Sequence, residues 1–174
     1  MRVHGLGKLS ASTILHAIAM AVACVLSYWI MTRLLNPFVA RDDDLLGGMW
    51  AAIASAFVFR DTTRASLSAG IARLVATFVS FSLCLIYLSL ARPVPLGMAF
   101  VLATGTIVLV LFHHPDGIVT TAITSVVIMV VAILNPADAL SQPVLRLIDT
   151  VVGIAVGMAC SSAVFIFARW DHGT

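Results

Sequence analysis

The chain has 174 residues, of which 61% are hydrophobic and 10% charged, with mean hydropathy +1.09 and formal net charge +2. Soluble domains carry about a quarter charged residues, so the composition excludes a soluble globular protein and places the chain in lipid. Continuous apolar runs also exclude a closed β-barrel, whose strands alternate over about ten residues.

A bilayer is crossed by a helix of about 20 apolar residues, and the runs predict six spans. Residues 1–12 form a polar lead made flexible by Gly5 and Gly7. The first run is longer than the apolar core of a signal peptide, and no small-x-small cleavage site precedes Arg33, so no removable leader is expected. Span one is Thr13–Leu35, with Ala17, Ala21 and Ala23 permitting close helix approach. Asn36-Pro37 ends it, because proline disfavours helix in the residue before it, and Val39–Asp44 is the turn. Span two, Leu45–Phe59, is short and bracketed by Asp44 and Arg60, which calls for flanking residues or local thinning of the bilayer.

The link Arg60-Asp61-Thr62-Thr63-Arg64 offers Asp61 or Thr62 as a cap for the next helix. Span three is Ala65–Ala91, stopped by Arg92-Pro93, and span four is Pro95–Phe112. A tight hairpin, His113-His114-Pro115-Asp116-Gly117, leads to span five, Gly117–Leu134. Asn135-Pro136-Ala137-Asp138 then turns the chain into span six, Val144–Ala168. No linker or low-complexity stretch interrupts the order, so residues 1–174 read as one transmembrane domain with halves at about 13–91 and 95–168.

Arg73-Leu-Val-Ala-Thr77 returns as Arg146-Leu-Ile-Asp-Thr150, an offset of 146 − 73 = 73 positions. At that offset Ala76, Ser80 and Cys84 fall on Asp149, Gly153 and Gly157. Both copies are apolar helices that enter through an arginine and carry a small-residue stripe, and the links before them match in turn chemistry. With three spans in each half the copies are inverted, a transporter plan that puts the substrate path at the repeat interface. The expected fold is therefore all-α: an integral membrane protein of six helices in two inverted three-helix repeats.

Orientation follows from the basic residues. Arg2, Lys8, Arg60, Arg64 and Arg169 flank the side holding both termini; Arg33, Arg41 and Arg92 lie on the other. Both termini are thus expected in the cytoplasm. Acidic residues lean outward, with Asp42, Asp43, Asp44 and Asp138 outside against Asp61, Asp116 and Asp171 inside. A basic inner mouth raises the local concentration of anions.

Arg73 lies nine positions beyond Arg64, about 13 Å further along a helix, and Arg146 sits near the outer end of span six. Charge within hydrocarbon costs about 3 kcal/mol on insertion scales. The functional reading is a pair of guanidinium groups gripping an anion bidentately; the structural one is snorkelling to the headgroups. Asp149, three residues after Arg146, shares its face, either neutralising it or releasing it on protonation.

Asp149, Gly153, Gly157 and Ser161 form one stripe suited to helix packing within the subunit or across a dimer. Spans two and five open alike, with Asp44-Leu-Leu-Gly47-Gly48 and Asp116-Gly117. Ser55 interrupts one, and Thr120, Thr121, Thr124 and Ser125 the other, a pattern that points to a transport site or to hydroxyls bonded to their own helix. Trp50 reads as a stacking platform or an interfacial anchor. Cys24, Cys84 and Cys160 read as membrane-interior fillers. His4, His16, His113, His114 and His172 match no metal-ligand spacing. No catalytic constellation, cofactor fingerprint or nucleic-acid motif appears, so neither an enzyme nor a cofactor is expected.

Met49-Trp50-Ala51, Ser66-Leu-x-x-Gly70, Arg73-x-x-x-Thr77 and Arg146-Leu-Ile-Asp-Thr-Val-Val-Gly153 together resemble the fusaric acid resistance and aromatic acid exporter group of bacterial inner-membrane proteins, from about His16 to Arg169. The resemblance implies a multi-pass inner-membrane protein that exports aromatic or other organic carboxylic acids. It also implies a fold similar to that of dimeric plant malate-permeable anion channels. Carried over, Arg73, Thr77, Arg146, Thr150 and Trp50 are pathway positions, with Asp149 beside them. Ala76 stands where the group has glycine. Larger members add soluble domains and a second membrane block, which favours a homodimer or a partner membrane subunit here. An anion channel and a non-transporting subunit of a larger exporter remain open alternatives.

Overall fold

The computed structural model describes residues 11–35, 44–60, 62–136 and 139–171. Among the described residues six α-helices succeed one another: α1 (Ala11–Trp29), α2 (Asp44–Val58), α3 (Thr63–Leu90), α4 (Pro95–Leu111), α5 (Ile118–Leu134) and α6 (Ser141–Asp171). A π-helical turn, Ile30–Leu35, continues α1, and a 3-10 turn, Pro115–Gly117, leads into α5. Among the described residues all regular structure is helical. Expectations on Asn36-Pro37, Arg41 to Asp43, Asp61, Ala137, Asp138, His4 and His172 lie outside the described residues.

Among the described residues four stretches are long and apolar enough to cross a bilayer: Thr13–Leu34, Thr63–Leu90, Pro115–Leu134 and Ser141–Ile166. The other two helices are apolar but shorter. Helix α2 has 15 residues and α4 has 17, roughly 22 and 25 Å at 1.5 Å per residue. Span two was expected to be short; α4 falls just short of the crossing length as well.

The ends follow local chemistry. Thr62, in extended backbone, caps α3 by accepting a hydrogen bond from the Ala65 amide at 3.2 Å, as one of the two expected caps. Pro95 occupies the first turn of α4, where its missing N–H is no loss. The end of α4 is a Schellman turn: His114 N–H donates to Leu109 O at 2.9 Å and His113 N–H to Val110 O at 3.1 Å. His113 takes φ 59° there, in the left-handed region that glycine usually fills.

The packing crosses the middle of the sequence. Helix α6 lies against α1 and α2, while α3 lies against α4 and α5, and α3 and α6 form the seam between the two groups. Small residues permit the closest of these contacts. A side chain at Gly153 would run into the Ala51 carbonyl oxygen, and one at Gly157 would come within 2.8 Å of Ser55 O. The Gly153–Gly157 stripe is therefore spent on α2 within the chain.

Candidate functional site

The repeated stripe folds to the centre of the seam. On α3, Ser66, Gly70, Arg73, Ala76, Thr77, Ser80 and Cys84 are all buried. On α6 the equivalents Arg146, Asp149, Thr150, Gly153 and Gly157 are buried too, followed by Ser161. A 3.6-residue period puts positions three and four apart on one face, so each stripe is a single line of side chains turned inward.

Hydroxyls fix the seam. Ser161 Oγ donates to Arg60 O at 2.8 Å, Ser66 and Ser161 Oγ lie 2.8 Å apart, and the Arg60 amide donates to Ser66 Oγ at 3.1 Å. With the Ser161 proton on the carbonyl, Ser66 donates to Ser161, and the three groups close a ring. Between α3 and α5, Thr121 Oγ1 donates to Ala76 O at 3.1 Å, and Ser80 shares its proton between Ala76 O at 3.0 Å and Thr121 O at 3.1 Å. Thr121 thus bonds across to a neighbouring helix rather than to its own. Thr106 and Ser27 do bond within their own helices.

Ser66 faces Ser161, and Gly70 faces Ile154 and Met158, so α3 and α6 run antiparallel. Continued along both helices, this register brings Thr77 and Thr150 to one level. Arg73 and Arg146 then lie a turn to either side of it, about 12 Å apart along the axes at 1.5 Å per residue.

Both guanidinium groups rest on aromatic rings of α2. Arg73 Cζ lies 4.4 Å from the centre of the Phe57 ring, and Arg146 Cζ 3.2 Å from that of Trp50. Phe57 and Trp50 are seven residues apart, two turns of one helix face. Arg73 is 8% exposed and Arg146 5%, so neither extends freely to the headgroups. Desolvated cation–π contacts contribute about 2 kcal/mol, short of the cost of a buried charge. Arg73 has no carboxylate paired with it among the described residues, and its Nε has no hydrogen-bond partner. One turn away on the same face, the buried Thr77 hydroxyl is also unbonded.

The other arginine is set differently. Arg146 and the fully buried Asp149 line one small cavity with Trp50, Gln142, Leu46 and Val127. Its volume of about 10 Å³ holds roughly one water, so this end is closed to an organic acid. Of the hydroxyls singled out in spans two and five, Ser55, Thr121, Thr124 and Ser125 are buried and Thr120 is half-buried. Ser55 Oγ has no hydrogen-bond partner among the described residues. Cys84 is buried, Cys24 and Cys160 are half-buried, and all three are free thiols. Among the described residues no His, Cys, Asp or Glu cluster could hold a metal. His16 meets the edge of Phe59 at 4.8 Å.

Sequence reasoning found the two arginines and their stripes but not the Phe57 seat. Phe57 carries no motif, and only its spacing of seven from Trp50 marks the two rings as one face.

A family model described as fusaric acid resistance protein-like matches residues 44–160, well over half of the chain. The match contains the Arg73 stripe, the Arg146 stripe as far as Gly157, the α2 rings and the hydroxyls of α5. No curated protein and no solved structure matches the chain.

Proposed function

The chain belongs to the fusaric acid resistance protein-like family, a family of membrane transport proteins, and from that premise we propose that it exports organic carboxylic acids, chiefly aromatic ones, across the bacterial inner membrane. The observation that carries this reading is Arg73. A guanidinium buried within an apolar bundle, seated on a ring and lacking a counter-charge among the described residues, is suited to receive an anion. A carboxylate supplies the missing charge and two acceptor oxygens for the guanidinium fork, and Thr77 adds a hydroxyl one turn away.

Arg146 is the second station, past the level of Thr77 and Thr150. Asp149 sets a negative charge on the same helix face, so an arriving carboxylate competes with it for Arg146. Trp50 and Phe57 give an aromatic acid apolar faces beside each cation. The closed cavity at Arg146 means that passage requires movement. Two inverted three-helix repeats supply it by rocking about the α3–α6 seam.

The packing supports that plan. Exchanging α1, α2 and α3 for α4, α5 and α6 turns each principal contact into another principal contact and leaves the α3–α6 seam on itself. The short helices α2 and α4 complete six crossings by drawing on flanking residues, with both termini cytoplasmic and Arg73 towards the inner side.

The test is accumulation of a panel of aromatic carboxylic acids in cells with and without the protein. Lower accumulation of a subset of acids in expressing cells is expected. Equal accumulation across the panel, at verified membrane abundance, contradicts the reading.

A further inference from the structure

On the face of α3 turned away from Arg73, a cleft of about 390 Å³ opens between α3 and the α4–α5 hairpin. Its rim carries Arg64, His114 and Asp116, all exposed, and its wall includes Leu67, Ile71 and Val75. We propose that this cleft binds a phospholipid whose headgroup carries both a phosphate and a primary ammonium, with the start of an acyl chain against the wall.

Three observations meet here. Arg64 and Asp116 line one cleft, yet neither makes an ion pair among the described residues. Opposite charges that line one cleft without pairing fit a zwitterion placed between them: phosphate on the Arg64 guanidinium and ammonium on the Asp116 carboxylate. The vertical profile is that of a phospholipid as well. Arg64 is the second residue of α3, while Ile71 and Val75 lie seven and eleven residues further in, about 10 and 16 Å deeper at 1.5 Å per residue.

The wall also continues as an apolar stripe open to its surroundings. Leu67, Ile71, Leu74 and Phe78 are 46%, 54%, 41% and 58% exposed along a helix long enough to cross the bilayer. Basic pockets between spanning helices at a membrane face are built to hold lipid headgroups. Asp116 is what turns this one from a general anion cleft towards an aminophospholipid, since a primary ammonium donates hydrogen bonds to a carboxylate and a quaternary one does not.

The site is independent of the transport reading. Positions 64, 68, 71 and 75 face the cleft, whereas 66, 70, 73 and 77 face the seam, so failure of one leaves the other standing.

The experiment is native mass spectrometry of the delipidated full chain, titrated with phosphatidylethanolamine, phosphatidylcholine or phosphatidylglycerol of matched acyl chains. Phosphatidylethanolamine should be retained several-fold over both others. Asp116→Asn should erase the preference over phosphatidylcholine, and Arg64→Gln should lower retention of all three lipids about tenfold, the loss of one charge-assisted contact. Ser68→Trp, which fills the cleft from its lining, should abolish retention while the helical circular dichroism is unchanged. Equal retention of the three lipids by the native protein overturns the proposal without any variant. So does a preference that survives Asp116→Asn, or displacement of the lipid by an equal concentration of free phosphoethanolamine, which would show that the apolar wall takes no part.

Discussion

Arg73 and Arg146 are the same residue at equivalent points of a repeated motif, yet they rest in different seats. One lies over a Phe57 ring that is 45% exposed; the other is pressed on Trp50 beside a closed cavity that Asp149 also lines. Trp50→Leu is therefore expected to lower stability by about 2 kcal/mol, the size of a desolvated cation–π contact. Phe57→Leu should cost clearly less, since its ring is half open. Thermal unfolding in one detergent checks the order, and a larger loss for Phe57→Leu would contradict it. The burial of both arginines was legible in the sequence, because each heads a line of small residues that only an inward face needs. The seats were not. The offset of 73 that relates the arginines takes Trp50 to Ile123 and Phe57 to Val130, so no periodic signal marks the two rings. The residues alone allow Trp50 two roles, ligand platform or interfacial anchor, and the geometry adds a third, with Arg146 resting on one face of its ring.

At the scale of elements, the Gly153-x-x-x-Gly157 stripe read as a close helix contact without a partner, because a stripe names its own face only. The partner is the backbone of α2 at Ala51 and Ser55. Gly153→Ala should cost about 1–3 kcal/mol, the usual price of overpacking, and more than Gly105→Ala, whose new methyl meets side-chain atoms rather than backbone, Thr121 Cγ2 at 3.0 Å and Leu83 Cδ1 at 3.5 Å. Unfolding transitions of the two variants measure this, and equal transitions would contradict it. The end of α4 offers a change in the other direction. His113 holds φ 59° in a Schellman turn, and a left-handed backbone costs a side chain roughly 1–2 kcal/mol. His113→Gly should thus raise stability by about 0.5–1 kcal/mol after glycine's entropic loss, read as a higher unfolding midpoint. Helix starts and stops were readable from Thr62, Pro95 and Arg92-Pro93. The Schellman turn was not, since histidine gives no sign of a left-handed position.

At the scale of the whole molecule, composition and run length gave an all-helical membrane protein and the order of its six helices. They could not give the exchange of partners across the middle of the chain, in which α6 joins α1 and α2 and α3 joins α4 and α5. That depends on side chains meeting at distances of up to about a hundred residues, such as Ser66 with Ser161. The proposed orientation predicts that a cysteine at Arg92 is labelled by an impermeant reagent from outside intact cells and one at His114 only after the membrane is opened; the reverse pattern would contradict it. The assembly is proposed to be a homodimer. Since the glycine stripe is occupied within the chain, the subunits must meet through another apolar face. A detergent-corrected mass of two chains is expected, and one chain at all concentrations would contradict it.

The most direct test of the account is flux of an aromatic carboxylate in proteoliposomes bearing the native protein, Arg73→Lys or Arg73→Ala at equal density. A substrate-gripping Arg73 predicts that alanine abolishes flux and that lysine keeps only part of it, because an ammonium retains the charge and loses the bidentate fork. Native flux from both variants would show that Arg73 is a structural cation, and the proposed site would be wrong.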